Sequence, residues 1–244
     1  MNVAIKLASG RGTRMNQDVP KQFITVFDKP IIIYTLESFQ NHPEIDEIEV
    51  VCLEGWHEIL HAYADQFDIS KLRWVVSGGN TVQESIFNGV MNLEGKYQDS
   101  DNIIIHDGIR PLVDSFVLSD VIDKCDKFGN AASSLPYNEQ IFRTNDGTTS
   151  REFIPRELLR RVSTPQAYKF KKLLWAYKEA FSKGIGIHGS SYANTLMVDL
   201  GETLHLAKGS EKNIKLTTQE DLIAFKAYIN TYQNNIHEEN SILD

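Results

Sequence analysis

The stretch Val3-Ala4-Ile5-Lys6-Leu7-Ala8-Ser9-Gly10-Arg11-Gly12-Thr13-Arg14 decides the fold. A short apolar run that ends at Ser9-Gly10 has the pattern of a buried strand entering a loop. Glycines let the backbone approach a phosphate closely, and successive N–H groups form an anion cradle. Pro20-Lys21-Gln22-Phe23 follows soon enough for Lys21 to return to the same mouth. In this reading Arg14 and Lys21 flank a triphosphate. The loop is not a dinucleotide fingerprint, because no third glycine follows at the required spacing. Nor is it a Walker A loop, since no Gly-Lys-Ser/Thr ends it. A bare Gly-x-Gly is also an ordinary turn, and it is the company of Arg14 and Pro-Lys-Gln that points to phosphate.

Downstream, strand and helix patterns alternate. Ile31–Phe39 has helical spacing through Ile32, Leu36 and Phe39, and Ile48–Leu53 is a second β-branched run. A helix is expected from about Trp56 to Phe67, then a strand over Leu72–Ser77 closing on Gly78-Gly79. Val82, Ile86 and Val90 mark the next helix, Asn102–His106 a fourth strand, Val117, Val121 and Cys125 another helix, and Ala131–Leu135 a fifth strand. This order predicts an α/β fold with a mostly parallel sheet and right-handed crossovers. Ligands of such sheets sit outside the carboxyl ends of the strands. Three of those ends, Ser9–Arg14, Ser77–Asn80 and His106–Arg110, therefore converge on one pocket.

The rhythm breaks between Tyr137 and Arg161. Asn145-Asp146-Gly147 is a turn signal flanked by Gln140–Arg143 and Arg151–Ile154, which predicts a protruding hairpin over about 137–161. A lone two-stranded arm is marginal in water, and docking on a second subunit is one solution. A helix over Phe170–Lys183, a short strand over Thr203–Ala207 and a last helix over Gln219–Thr231 complete a single domain of residues 1–233. Residues 234–244 read as a polar, loosely ordered tail.

Composition narrows the functions. The 244 residues are 41% hydrophobic and 24% charged, as in an ordinary globular protein, and carry a net charge of −8. That balance argues against holding nucleic acid on a broad basic face. An anionic substrate must instead meet a local positive cluster. Cys52 and Cys125 lie in apolar periodic stretches and read as inert core residues. The longest apolar run, Pro30 to Leu36, is too short to cross a bilayer, and the N-terminus has no signal pattern, so a cytoplasmic location without membrane partners is expected.

Two further motifs bear on chemistry. His57-Glu58-Ile59-Leu60-His61 matches a zinc-protease pattern, but Ala64 and Phe67 offer no continuation, and an exposed amphipathic helix is the better reading. In His106-Asp107-Gly108-Ile109-Arg110-Pro111 a strand-end carboxylate can bind Mg²⁺ while the arginine grips a phosphate; a simple capping role for Asp107 is the alternative.

Taken together, these residues resemble the cytidylyltransferases that act on methylerythritol phosphate and ribitol 5-phosphate. The matching elements are Leu7 to Met15, Pro20-Lys21-Gln22-Phe23, Gly78-Gly79 with Ser85, His106-Asp107 with Arg110-Pro111, Thr164-Pro165-Gln166 and Asn213-Ile214-Lys215. The resemblance implies a Rossmann-like, three-layer nucleotidyltransferase fold and a homodimer whose arms reach the neighbouring active site. It implies CTP, Mg²⁺ held by Asp107, and displacement at the α-phosphorus. Arg14, Lys21 and Lys215 would be catalytic. Leu7, Ala8, Ser9, Gly10, Gly12, Gly79, Asn80, Ser85 and His106 would bind the nucleotide. Asp107, Arg110, Gln140, Ser191 and, from the neighbouring subunit, Arg156 would bind the acceptor.

The chain departs from the family pattern at Ser9, Val82, Glu139-Gln140 and Ser191-Tyr192, mostly on the acceptor side. Ribitol 5-phosphate, destined for a cell-surface polysaccharide, is therefore the expected acceptor ahead of methylerythritol 4-phosphate or glycerol phosphate. Two rivals remain: a sugar-1-phosphate nucleotidyltransferase using another triphosphate, and a non-catalytic CTP-binding protein.

Overall fold

The computed structural model of the chain describes residues 1–11, 19–188 and 192–241, the side chains of 232–241 excepted. In chain order the elements are β1 (Asn2–Ala8), β2 (Thr25–Val26), β3 (Lys29–Pro30), α1 (Ile31–Gln40), β4 (Glu47–Cys52), α2 (His57–Gln66), β5 (Leu72–Ser77), α3 (Val82–Leu93), β6 (Asn102–Asp107) and α4 (Ser115–Phe128). They continue with β7 (Asn130–Pro136), β8 (Ile141–Arg143), β9 (Glu152–Ile154), β10 (Arg160–Lys169), α5 (Phe170–Lys183), α6 (Ala193–Asp199), β11 (Leu206–Lys208) and α7 (Gln219–Ser241). The main sheet has the order β11-β7-β10-β6-β1-β4-β5. Strand β1 runs parallel to both β4 and β6, and β5 and β11 are parallel to their neighbours.

Alternation along β1 explains the layering. Ala4 and Ala8 face a core shared with Phe39 of α1, Leu60 of α2 and Val117 and Val121 of α4. Val3 and Ile5 face the opposite core, with Ile86 and Val90 of α3, Leu173 and Tyr177 of α5 and Leu196 of α6. A strand buried on both faces is nearly all apolar, which is why the first strand was legible. Each fully buried side chain of this kind contributes about 1.5–3 kcal/mol of transfer free energy. Helix α7 closes a third cluster, with Phe225 against Ile31, Ile109 and Leu216.

Several elements differ from the sequence reading. Strand β10 was not expected, yet it lies inside the sheet and pairs antiparallel with both β6 and β7. Its pairing with β7 shifts register between Val162 and Gln166, and Pro165 falls in that interval. An irregularity is where a central strand accommodates proline, and Arg160-Arg161 with Thr164-Pro165 hid the strand behind loop-like composition. Helix α6 was also missed, and β11 sits three residues later than Thr203. The last helix continues past Thr231 to Ser241, through the segment read as a loose tail, because no glycine or proline stops it.

Other readings hold. The hairpin is present as β8 and β9, paired Ile141 to Ile154 and Arg143 to Glu152. Cys52 and Cys125 are buried free thiols, and burial pushes both up to about 12, so neither is a nucleophile. The His57–His61 pattern lies on α2, an amphipathic helix that buries Leu60 and Ala64 in the core.

One buried acid sets a pH dependence. Glu49 of β4 is fully buried and accepts from Asn92 Nδ2 at 2.9 Å. Burial pushes its carboxyl up to about 7, against the smaller opposing effects of Asn92 and Lys96. A folded-state value above the unfolded one means that folding takes up a proton. The stability linked to Glu49 is therefore complete below about pH 4.5 and is lost as pH rises through 7. Glu49→Gln is expected to gain on the order of 2 kcal/mol over wild type at pH 8, with the gap closing by about pH 5. Urea unfolding at the two pH values checks this; a variant less stable than wild type at both would refute it.

Candidate active site

The mouth of the first strand is held open by a side chain. Gln22 is buried, and its Nε2 donates to the carbonyls of Ala8 at 2.7 Å and Gly10 at 3.0 Å. Those bonds fix the exit of β1 before the glycine loop begins. Gln22 is itself placed by the 3-10 turn Lys21–Phe23, whose Phe23 stacks on Trp56 at 4.6 Å between centroids. Lys21, the first residue of that turn, is thereby carried to the strand mouth. Gly12 and Arg14 lie outside the described residues.

The second wall is the Gly78-Gly79-Asn80 turn after β5. Its amides are all used internally: Gly78 N–H donates to Cys52 O at 3.0 Å, Gly79 N–H to Ser85 Oγ at 3.1 Å and Asn80 N–H to Glu84 Oε2 at 2.7 Å. Ser9 Oγ donates to Ser85 Oγ at 2.9 Å, and Ser85 Oγ in turn to Thr81 O at 2.8 Å. One donation and two acceptances exhaust a hydroxyl. Ser85 thus braces this wall and joins it to β1. A Cβ on Gly78 would lie 2.2 Å from that of Ser9, so glycine is required by close approach.

The third strand end carries the charge. Asp107 Oδ1 accepts from Lys215 Nζ at 3.1 Å, and its Oδ2 accepts from Arg110 Nε at 2.8 Å. Arg110 also donates through NH1 to Asn213 O at 2.7 Å. Asp107 N–H donates to Thr164 Oγ1 at 3.1 Å, and Asn213 Nδ2 donates to Thr164 O at 2.6 Å. Burial alone would raise the Asp107 carboxyl, but Lys215 first and Arg110 next outweigh it and hold it at about 2. Two cations around one carboxylate leave a net positive cluster, and among the described residues most of the N–H groups of Arg110 are uncommitted. That suits a phosphate.

His106 does not line the mouth as expected. It is fully buried, and its Nε2 lies 3.1 Å from Arg110 O, so it supports the turn from beneath. Leu7 is half-buried and packs against the core cluster that holds residues of α3 and α5. Gln140 and Arg156 are on the arm; Arg156 donates to Asn138 O at 3.1 Å and pairs with Glu157, both arm residues. Ser191 lies outside the described residues, but the Tyr192 ring stands 5.9 Å from Lys215 Nζ and forms one side of the cluster.

Gln22, Thr164, Asn213 and Tyr192 were given no role on sequence. Gln22, Thr164 and Asn213 each sat inside a recognised motif, but their work is on backbone atoms far away in the chain.

Residues 2–231 match the family described as IspD: 2-C-methyl-D-erythritol 4-phosphate cytidylyltransferase. A ribitol-5-phosphate cytidylyltransferase of Lacticaseibacillus paracasei is 57% identical over 94% of this chain and 98% of its own length. The chain belongs to this cytidylyltransferase family. A ribitol-5-phosphate cytidylyltransferase of Vibrio parahaemolyticus is 36% identical over 96% of the chain and 98% of its length. A 2-C-methyl-D-erythritol 4-phosphate cytidylyltransferase of Clostridium tetani is 33% identical over 96% and 92%. In fold, the solved 4-diphosphocytidyl-2C-methyl-D-erythritol synthase of Anaerococcus prevotii superposes with a TM-score of 0.80 at 24% identity, covering 94% of this chain and 96% of that one.

In this cytidylyltransferase the ion-paired aspartate is also a stability element. Its folded-state value lies below 3.8, so the stability it contributes is present above that pH and is lost as pH falls toward 2. Asp107→Asn is expected to lower stability by about 2 kcal/mol at pH 7, with the deficit shrinking below pH 4. Chemical denaturation across pH 3–8 checks this (a pH-independent deficit would contradict it).

Proposed function

We propose that this cytidylyltransferase transfers CMP from CTP to D-ribitol 5-phosphate, giving CDP-ribitol and pyrophosphate. The observation that carries the acceptor choice is the 57% identity, across nearly the whole of both chains, to the ribitol-5-phosphate enzyme of L. paracasei. The clostridial methylerythritol-phosphate relatives stand at 33–35%.

The chemistry follows from charge. The acceptor phosphate is substantially ionised near pH 7, so one of its oxygens attacks the α-phosphorus without a strong general base. A new P–O bond forms, the bond from the α-phosphorus to the bridging oxygen breaks, and pyrophosphate leaves with that oxygen. The protein's share is alignment and positive charge. Lys21, with Arg14, neutralises charge that builds on the α-phosphate and the leaving group. Lys215 and Arg110, tied together through Asp107, hold the acceptor phosphate for in-line attack.

The Asp107 oxygens already accept from Lys215 and Arg110, so Mg²⁺ would share one of them through a remaining lone pair and complete its shell from phosphates and water. Asp107 would hold the ion, which would supply further charge neutralisation on the triphosphate.

The arm supports a homodimer. Phe142 and Phe153 of the two-stranded hairpin and Leu158 of the turn after it are 59%, 61% and 78% exposed, and a second subunit is the cover that such an arm needs. In that arrangement Arg156 and Gln140 complete the neighbour's acceptor site. Among the described residues no helix is long and apolar enough to cross a membrane. In this reading the enzyme works in the cytoplasm and supplies an activated polyol for a surface polymer.

Pyrophosphate release from CTP, UTP and GTP, each with ribitol 5-phosphate, methylerythritol 4-phosphate and the glycerol phosphates, tests the reading. Turnover is expected with CTP and ribitol 5-phosphate; a preference for UTP or for methylerythritol 4-phosphate would overturn it. Lys21→Ala should lower kcat by about 10² or more with an unchanged melting temperature, and near-normal turnover would remove Lys21 from the mechanism. Replacing Phe142 and Phe153 together by Asp should shift light-scattering mass from dimer to monomer and raise the acceptor KM. An unaltered mass would take the arm out of the interface.

A further inference from the structure

Strand β1 buries a lysine in its middle. Lys6 is fully buried, its Nζ has no hydrogen-bond partner, and the amine lies over the ring of Phe39 in α1. A methionine, one heavy atom shorter, would fill most of that volume without the unpaired nitrogen, so the lysine calls for an explanation.

Directly beside it is a second unpaired atom. Lys6 and His106 are register partners across the parallel β1–β6 pair, so their side chains leave the same face of the sheet side by side. Both meet Phe39, whose ring centroid is 5.1 Å from that of His106. His106 Nδ1 is buried without a partner. The other nitrogen, Nε2, faces the Arg110 carbonyl at 3.1 Å, and a carbonyl only accepts. Nε2 therefore carries the proton, and in a neutral ring Nδ1 presents a lone pair.

The two orphans are complementary. Of the five buried side-chain atoms without a partner among the described residues, Lys6 Nζ is the donor and the others, Gln22 Oε1, Glu49 Oε1, His106 Nδ1 and Asn213 Oδ1, are acceptors in these pairings. His106 is the one adjacent to Lys6 in register.

We infer that Lys6 is a positioning residue: its Nζ donates to His106 Nδ1, directly or through one buried water, and so fixes the tautomer whose Nε2–H holds the Arg110 turn. The chain of contacts then runs from Lys6 through His106 to the Arg110 backbone, and from the Arg110 side chain to Asp107 and Asn213 O. Its output is the aim of the guanidinium. This rests on the reading of Arg110, Asp107 and Lys215 as the acceptor-phosphate cluster, and it adds a residue from the sheet interior to that cluster's support.

Lys6→Met is the test, read with whichever polyol phosphate the wild-type enzyme turns over. The acceptor KM is expected to rise about fivefold while the CTP KM and kcat stay within about twofold. The melting temperature should hold or rise, because an unpaired buried amine has been removed. An unchanged acceptor KM, or equal rises in both KM values with a lower melting temperature, would overturn the proposal. Imidazole ¹⁵N shifts of the unmutated protein decide it independently of folding and activity. An Nε2–H tautomer with a hydrogen-bonded Nδ1 supports the relay, and a free Nδ1 lone pair refutes it even where the enzyme uses no polyol phosphate at all.

Discussion

Asp107 balances two cations, and much of the active site is arranged around keeping that balance dry and ordered. Its carboxylate lies between Lys215, which comes from the segment before α7, and Arg110, which comes from the turn after β6. Its amide is held by Thr164 of β10, and Thr164 is held in turn by Asn213. A single charge thereby locks three stretches of chain that are more than 40 residues apart. Removing one partner from such a cluster leaves an uncompensated charge in a mostly buried place, which costs more than the pair contributes. The arrangement gives a rigid positive surface on a protein whose overall charge is −8.

The wall around the exit of β1 is rigid for a different reason. There, side chains brace backbone. Gln22 secures the carbonyls at the end of β1, Ser85 secures the Gly79 amide, and Ser9 connects the two walls. Preorganised geometry of this kind is what displacement at phosphorus needs, since the protein supplies position and charge in place of a covalent intermediate. His106, fully buried, supports the Arg110 turn from the floor of the site.

Much of this was readable from the chain alone. Strand β1 and its glycine exit, helix α5 at its stated bounds and the arm hairpin all rest on local patterns: continuous apolar runs, helical spacing, and an Asn-Asp-Gly turn. Arg110 and Lys215 were legible because each belongs to a compact motif. Strand β10 was not, because its membership in the sheet depends on hydrogen bonds to β6 and β7 and on an irregularity that tolerates Pro165. Lys6 was passed over inside an apolar run, and only its alignment with His106 gives it meaning.

By itself the sequence determined the α/β alternation and the family, since these follow from short-range periodicity and from residues adjacent in the chain. Tertiary structure decided which of those residues face the mouth and which support it from behind. Asp107 and His106 are neighbours in sequence, yet the alternation of a strand sends one to the cluster with Lys215 and the other into the core against Phe39. The same alternation, combined with the parallel register of β1 and β6, brings Lys6 beside His106.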